Sequence, residues 1–218
     1  MNKKVTGLDF LSLSLYAFGG LGLEALYAYL IEPALYGGPM QDWTRSQMIS
    51  HWIITCLTWG LAAFYLIRTS SKKYGFPLFR QTPPMKVWQW ISVTGMVVLS
   101  LLMSYMSWDG FKVWMEFQKK GPLLFLFQYI YYAFETVLFM LIIVFGQKAL
   151  ETWTRNQKLP FGGIICGLTW GLAHIITKGS IWIGLEGLIL GFMLGTAYLL
   201  VNRDIKKTYL VLLLMFVL

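Results

Sequence analysis

The stretch QYIYYAFETVLFMLIIVFGQKALETWTRNQKLPFGGIICGLTWGLAH, residues 128–174, decides how this chain folds. It reads as two apolar helices joined by a basic loop, with a carboxylate, Glu135, in the first and an imidazole, His174, near the end of the second. Ionisable groups in lipid-soluble sequence are costly to bury, so each marks a functional site by default and requires a polar partner or water. On the first helix Gln128, Tyr131, Tyr132 and Glu135 recur at i, i+3, i+4 and i+7 spacing, which places them in one polar stripe. Such a stripe faces protein or a water-filled cavity. On the second helix Trp170 and His174 share a face with Gly163, Gly167 and Gly171, so the imidazole is expected at a tight helix contact.

Composition extends this reading to the whole chain. Of 218 residues 57% are hydrophobic and only 13% charged, and the mean hydropathy is +0.59, too apolar for a soluble domain with a water-facing surface. An all-α polytopic membrane protein is expected, a single membrane domain over 1–218 with its motif-bearing core at about 122–218. Apolar runs at 8–31, 48–67, 87–106, 122–145, 159–177 and 181–201 are each near the length a helix needs to cross hydrocarbon. The first is too long for a signal core and carries Glu24, so it reads as a retained span. The run at 208–218 is short, either a half-span or an end that packs against the bundle.

The net charge of +8 comes from short basic clusters between apolar runs. Clusters in those places orient helices and meet anionic lipid headgroups, which argues against nucleic acid as a partner and for membrane lipids. With the N-terminus cytoplasmic, 13 of the 18 Lys and Arg residues fall on the inner side, Lys3, Lys4 and the loop 68–86 among them. This predicts a multi-pass cell-membrane protein oriented N-inside. The outer segment 107–121 mixes Trp108, Phe111, Trp114 and Phe117 with charges, as an interfacial helix would. Cys56 and Cys166 sit singly in apolar runs and read as packing residues. Two histidines and scattered carboxylates lack any metal-ligand spacing, and no cofactor is implied.

Two glycine series, Gly163, Gly167, Gly171 and Gly187, Gly191, Gly195, recur at every fourth position, so these two helices are expected to touch. There is also an internal echo: Leu57-Thr58-Trp59-Gly60-Leu61-Ala62 is repeated at 168–173, and only the second copy is followed by a histidine.

Chemically, Glu135 reads as a general base or acid and His174 as its partner, orienting water or stabilising developing negative charge. The alternative is that both are hydrogen-bonded glue between helices. Counted from the expected outer end at Pro122, Glu135 lies about 20 Å along its helix, whereas His174 is only ~5 Å from the outer end of its own. The two meet only if the outer rim is indented, for instance at Lys178-Gly179-Ser180. Glu24, His51 and Glu186 fall at depths comparable to that of His174 and are expected to form a second polar cluster, with Gly19, Gly20 and Gly22 leaving a thin helix face beside Glu24.

A family resemblance rests on these residues. Glu135-Thr136-Val137-Leu138-Phe139-Met140 looks like a degraded form of the EExxxR motif of the CPBP membrane proteins, the CAAX-protease and bacteriocin-processing family. Trp170-Gly171-Leu172-Ala173-His174, 39 residues downstream, is similar to the family's FxxxH motif, and the stretch 187–198 to its glycine-rich span. The resemblance covers roughly 128–218. It implies a CPBP-like bundle in which Glu135 activates water against a peptide bond of a lipid-modified or membrane-bound protein or peptide and His174 assists. The chain departs from the pattern at Thr136, where the second Glu is expected, and at Met140, where the Arg is expected. The third motif, HxxxN or HxxxD, has no counterpart in 208–218. Lost oxyanion donors cost orders of magnitude in rate. Two alternatives therefore stand beside an intramembrane peptidase: a non-proteolytic branch, taking part with a partner protein in bacterial lipoprotein N-acylation, and a non-enzymatic scaffold or immunity protein.

Overall fold

The computed structural model describes residues 5–218 and contains seven helices, with no strand among the described residues. They are α1 (Gly7–Tyr36), α2 (Arg45–Lys72), α3 (Val87–Trp108), α4 (Lys112–Thr154), α5 (Phe161–Lys178), α6 (Ile181–Leu200) and α7 (Ile205–Val217). The first six are long and apolar enough to cross a membrane. The chain is an all-α polytopic membrane bundle. Lys3 and Lys4, counted above for orientation, lie outside the described residues.

The bundle is built round α4. Each residue from Leu138 to Phe145 is at most 4% exposed, so the helix is apolar on every side because protein covers every side. Helices α1, α2, α5 and α7 pack round it. Ser14 of α1 is completely buried and donates from Oγ to the Ile142 carbonyl at 2.8 Å.

Glycine fixes the α5–α6 contact as expected. The helices run antiparallel, with Gly163 against Gly195, Gly167 against Gly191 and Gly171 against Gly187. A Cβ on Gly191 would stand 2.5 Å from the backbone nitrogen of Gly167. In lipid, dispersion between closely approached backbones holds helices together, and only glycine permits this approach.

Two helices contain a π-turn, each with a local cause. In α1 the turn spans Tyr27–Ile31 and the Glu32 N–H bonds to the Tyr27 carbonyl. Pro33 follows; it has no N–H for the carbonyl four residues back and its ring crowds that carbonyl, so the wider turn resolves the conflict. In α5 the turn spans Gly167–Gly171. There Thr169 Oγ1 donates to the Ile165 carbonyl at 2.7 Å, competing with the backbone ladder.

The segment 107–121 differs from expectation. Helix α4 begins at Lys112 and reverses direction at Gly121 (φ 72°, ψ 169°), so 112–120 folds back along the following turns as a helical hairpin. Lys112 lies 4.9 Å from the Tyr132 ring, Glu116 bonds Gln128 and Tyr129, and Phe117 meets Phe125 at 5.3 Å, all in antiparallel register. Lys112 and Glu116 are buried, whereas Phe111 and Trp114 are exposed. Lys112 and Glu116 thus point into the bundle, whereas Lys119 lies with Trp114 and Phe117 on the arm's exposed face.

Helix α7 is the end that packs against the bundle. Asp204 caps it by accepting from the Lys207 N–H at 3.0 Å. At its far end the Phe216 ring sits 5.1 Å from Tyr132, 5.4 Å from Phe139 and 5.6 Å from Trp170, and its carbonyl accepts from Lys112 Nζ at 2.8 Å.

Candidate functional site

Glu135 projects from α4 toward α5, 9% exposed, and its Oε1 accepts from the Trp170 indole Nε1 at 2.9 Å. Trp170 lies in the α5 π-turn. Its carbonyl takes a hydrogen bond from His174 Nδ1 at 2.8 Å, and the imidazole stands edge-on to the indole at 4.9 Å. Glu135 and His174 thus do not bond each other; Trp170 joins them. A carbonyl only accepts, so His174 carries its proton on Nδ1 and, when neutral, presents a lone pair on Nε2. The side chain is half-buried.

The hairpin resolves the mismatch in depth. Pro122 is not the level from which Glu135 should be measured, because the first turns after Gly121 pair with the arm. Lys112, at the start of the arm, lies level with Tyr132, which leaves Glu135 about one turn below it. Lys112 and Lys178, the last residue of α5, both act electrostatically on Glu135. Glu135 and His174 therefore occupy the same zone.

The second cluster is gathered in part. His51 on α2 is completely buried; its Nδ1 donates to Glu32 Oε2 at 2.5 Å, and its Nε2 lies 3.9 Å from Glu24 Oε1. Glu24, 35% exposed at its side chain, lies close enough to act on Tyr131, Glu135 and His174. Glu24 is thus the charged group that the two clusters share. Glu186 belongs to neither: it sits on the exposed face of α6 and accepts from Ser107 Oγ of α3 at 3.1 Å. Beside Glu24, Gly19 and Gly22 face open space while Gly20 packs on Leu138, so the thin helix face is real at two of the three positions.

Glu32 is the residue that sequence reading missed. Eight residues after Glu24, it would stand about 80° round a regular helix. The π-turn between them absorbs an extra residue and restores a near-common face, about 20° apart. A Glu-Pro pair closing an apolar run was the available signal. The polar stripe on α4 also divides: Gln128 and Tyr132 bond Glu116, Tyr131 packs 4.8 Å from Trp59, and only Glu135 meets Trp170.

The two copies of the echoed hexapeptide flank α4, Trp59 against Tyr131 and Trp170 against Phe139. The first is regular helix and the second carries the π-turn. His51 Nε2, Glu32 Oε1, Thr55 Oγ1 and Trp59 Nε1 are buried without hydrogen-bond partners, and three of the four lie along one face of α2. Unpaired polar atoms are expensive inside a bundle, so their concentration marks a place built for polar contact. No group of three potential ligands is placed to hold a metal among the described residues. An apolar groove of about 370 Å³ between α2 and α4, lined by Trp52, Cys56, Gly60, Phe127 and Phe134, runs alongside.

The fold and this site define the class, a polytopic helical membrane protein with a buried glutamate–indole–histidine chain. Comparison with known proteins goes no further: no family model, no curated protein and no solved structure matches the chain.

Proposed function

We propose that the chain is a CPBP-like enzyme of the bacterial cell membrane, oriented N-inside, acting on a lipid-modified or membrane-bound protein or peptide through Glu135 and His174. The single observation that carries this reading is the Glu135–Trp170–His174 chain, in which both side chains of the two resembling motifs face one zone. Glu135 keeps Oε2 for a proton while Trp170 fixes Oε1. In hydrolysis a water attacks the substrate carbonyl, Glu135 takes the water's proton and later returns it to the leaving amine. His174 Nε2, as a lone pair, orients that water rather than donating to the oxyanion.

His51 supports the reading from a direction the motifs do not cover. The third motif's histidine is missing from α7, and His51, oriented by Glu32, presents Nε2 from α2 instead. That nitrogen is enclosed 3.9 Å from Glu24, so it donates to a developing oxyanion only once a substrate displaces the Glu24 carboxylate.

Acyl transfer with a partner protein is the second reading. The apolar groove favours it, because it borders Trp52, the neighbour of His51, and its lining is apolar, as an acyl chain requires. Mass spectrometry of membrane lipoproteins and peptides from cells carrying wild type, Glu135→Gln, His174→Ala or a deletion tests both. A truncated peptide lost in Glu135→Gln identifies proteolysis, and a lost N-terminal acyl mass identifies the transfer branch. If neither signature depends on Glu135, the enzymatic reading falls and the scaffold reading replaces it.

A further inference from the structure

A second polar pocket, of about 230 Å³, lies at the other end of α4. Gln147, Lys148 and Glu151 line it from α4, Tyr198 from the end of α6, Phe76 and Arg80 from the segment before α3, and Arg203 from the turn before α7. Three cations thus face one carboxylate, and that carboxylate is already engaged: Glu151 Oε1 accepts from Arg203 at 2.6 Å and from Gln147 at 2.8 Å.

The other two cations are held in no ion pair among the described residues. Arg80 and Lys148 lie 5.7 Å and 5.8 Å from the same Phe76 ring. Like charges gathered at one ring repel unless an anion joins them. Arg203 adds a buried Nε without a partner.

The backbone is shaped to hold this arrangement. Asn202 and Arg203 are consecutive non-glycine residues with left-handed φ of 57° and 59°, a conformation that persists only when the surroundings enforce it. Gln89 Nε2 donates to Asn202 Oδ1 at 2.7 Å and to the Leu200 carbonyl at 2.6 Å, and Asn202 Nδ2 donates to the Pro83 carbonyl at 3.1 Å. These bonds pin the segment bearing Arg80 to the turn bearing Arg203.

We propose that this pocket binds a phosphate group, presented by the headgroup of an anionic phospholipid in the leaflet at this end of α4. Guanidinium forks and a lysine point charge are the natural ligands of phosphate oxygens, and basic pockets between membrane helices take such headgroups. The volume is below that of a pocket for a whole drug-sized molecule, about 300–1,000 Å³, which suits a headgroup with its acyl chains left in the bilayer. The site is independent of Glu135 and of any reaction there.

The test measures the thermal midpoint of the purified full chain in nonionic detergent against added phosphatidylglycerol, phosphatidylcholine or inorganic phosphate. Wild type should be stabilised saturably by phosphatidylglycerol and not by phosphatidylcholine. In Arg80→Gln/Lys148→Gln the half-saturating concentration should rise by at least about tenfold, the scale of one lost charge-assisted bond. Neither side chain has an ion pair to lose, but both lie over aromatic rings, so the lipid-free midpoint should fall only slightly; affinity is read against each variant's own lipid-free midpoint, and Arg80→Gln alone gives the same readout with a smaller perturbation. Stabilisation by inorganic phosphate as well would show a site that takes the free anion, and by lipid alone one that requires the headgroup at the membrane. Wild-type affinity for phosphatidylglycerol in the double variant overturns the proposal, as does an equal loss in Lys72→Gln/Lys73→Gln, which removes the same charge from the exposed end of α2.

Discussion

Trp170 and Glu135 are joined by an indole-to-carboxylate hydrogen bond of 2.9 Å across the α4–α5 contact, and the same tryptophan holds His174 through its backbone. The bond gives a buried carboxylate its one strong donor among the described residues. Trp170→Phe keeps the ring against Phe139 and Phe216 but removes the donor. The variant should lose about 1–3 kcal/mol, the cost of an unsatisfied buried acceptor, seen as a lower thermal midpoint in detergent. Glu135→Gln retains an oxygen acceptor for Trp170 and should unfold near the wild-type temperature.

The Glu32–His51 pair is buried on both sides. Glu32→Leu leaves the imidazole only the Glu24 carboxylate at 3.9 Å and should cost up to about 3–5 kcal/mol, the scale of breaking a buried pair. His51→Leu alone strands Glu32 and should cost a similar amount. The double variant Glu32→Leu/His51→Leu should recover most of the loss, because no charge is left without a partner. A double-mutant cycle by reversible unfolding reads this coupling directly, and additive single effects would show that the pair does not act as a unit.

Backbone contact between α5 and α6 leaves no room for a side chain. Gly191→Val should destabilise by at least about 1–3 kcal/mol, the usual cost of overpacking, because the atoms it would strike are backbone. Gly22→Ala, with nothing within 4 Å of the added carbon, should be neutral or stabilising by up to about 1 kcal/mol. Folded yield after a heat step, compared between the two variants, checks the contrast.

Asp204, outside the spans, is held below the usual aspartate range, chiefly by the Lys207 backbone N–H and further by the Lys207 and Thr82 side chains. A depressed folded-state value favours the native state above the ordinary aspartate pKa of about 4, and the contribution is lost as pH falls through the depressed value. Asp204→Asn should therefore be less stable than wild type at neutral pH and approach it in acid. Asp204→Ala, which also removes the cap, should cost about 1 kcal/mol more. Thermal midpoints from pH 7 down to pH 3 separate the two effects.

Much of the fold was legible because lipid imposes a length and a composition on each span. The glycine series predicted the α5–α6 contact for the same reason: close approach in lipid has few sequence solutions. Helix ends were underestimated, since an apolar run marks only the part in hydrocarbon; α4 extends from Lys112 to Thr154, beyond its run at 122–145. The reversal at Gly121 was invisible, because a Gly-Pro pair marks a break without its geometry. At the site, Glu135 and His174 stood out as polar residues in apolar sequence. Trp170 as their link and Glu32 as the partner of His51 did not, because both depend on π-turns that shift helical phase. Glu186 resembled Glu24 in depth alone, and depth does not tell which face of a helix a residue occupies.

The most direct test of the central claim pairs two readouts on one variant. Glu135→Gln is expressed in deletion cells, its thermal midpoint is measured after purification, and membrane lipoproteins and peptides from the same cells are weighed by mass spectrometry. An enzyme built on Glu135 gives a midpoint near wild type together with loss of a specific mass change that wild type restores. A mass pattern identical to that of wild type would contradict the account, and so would a loss that only tracks the amount of folded protein.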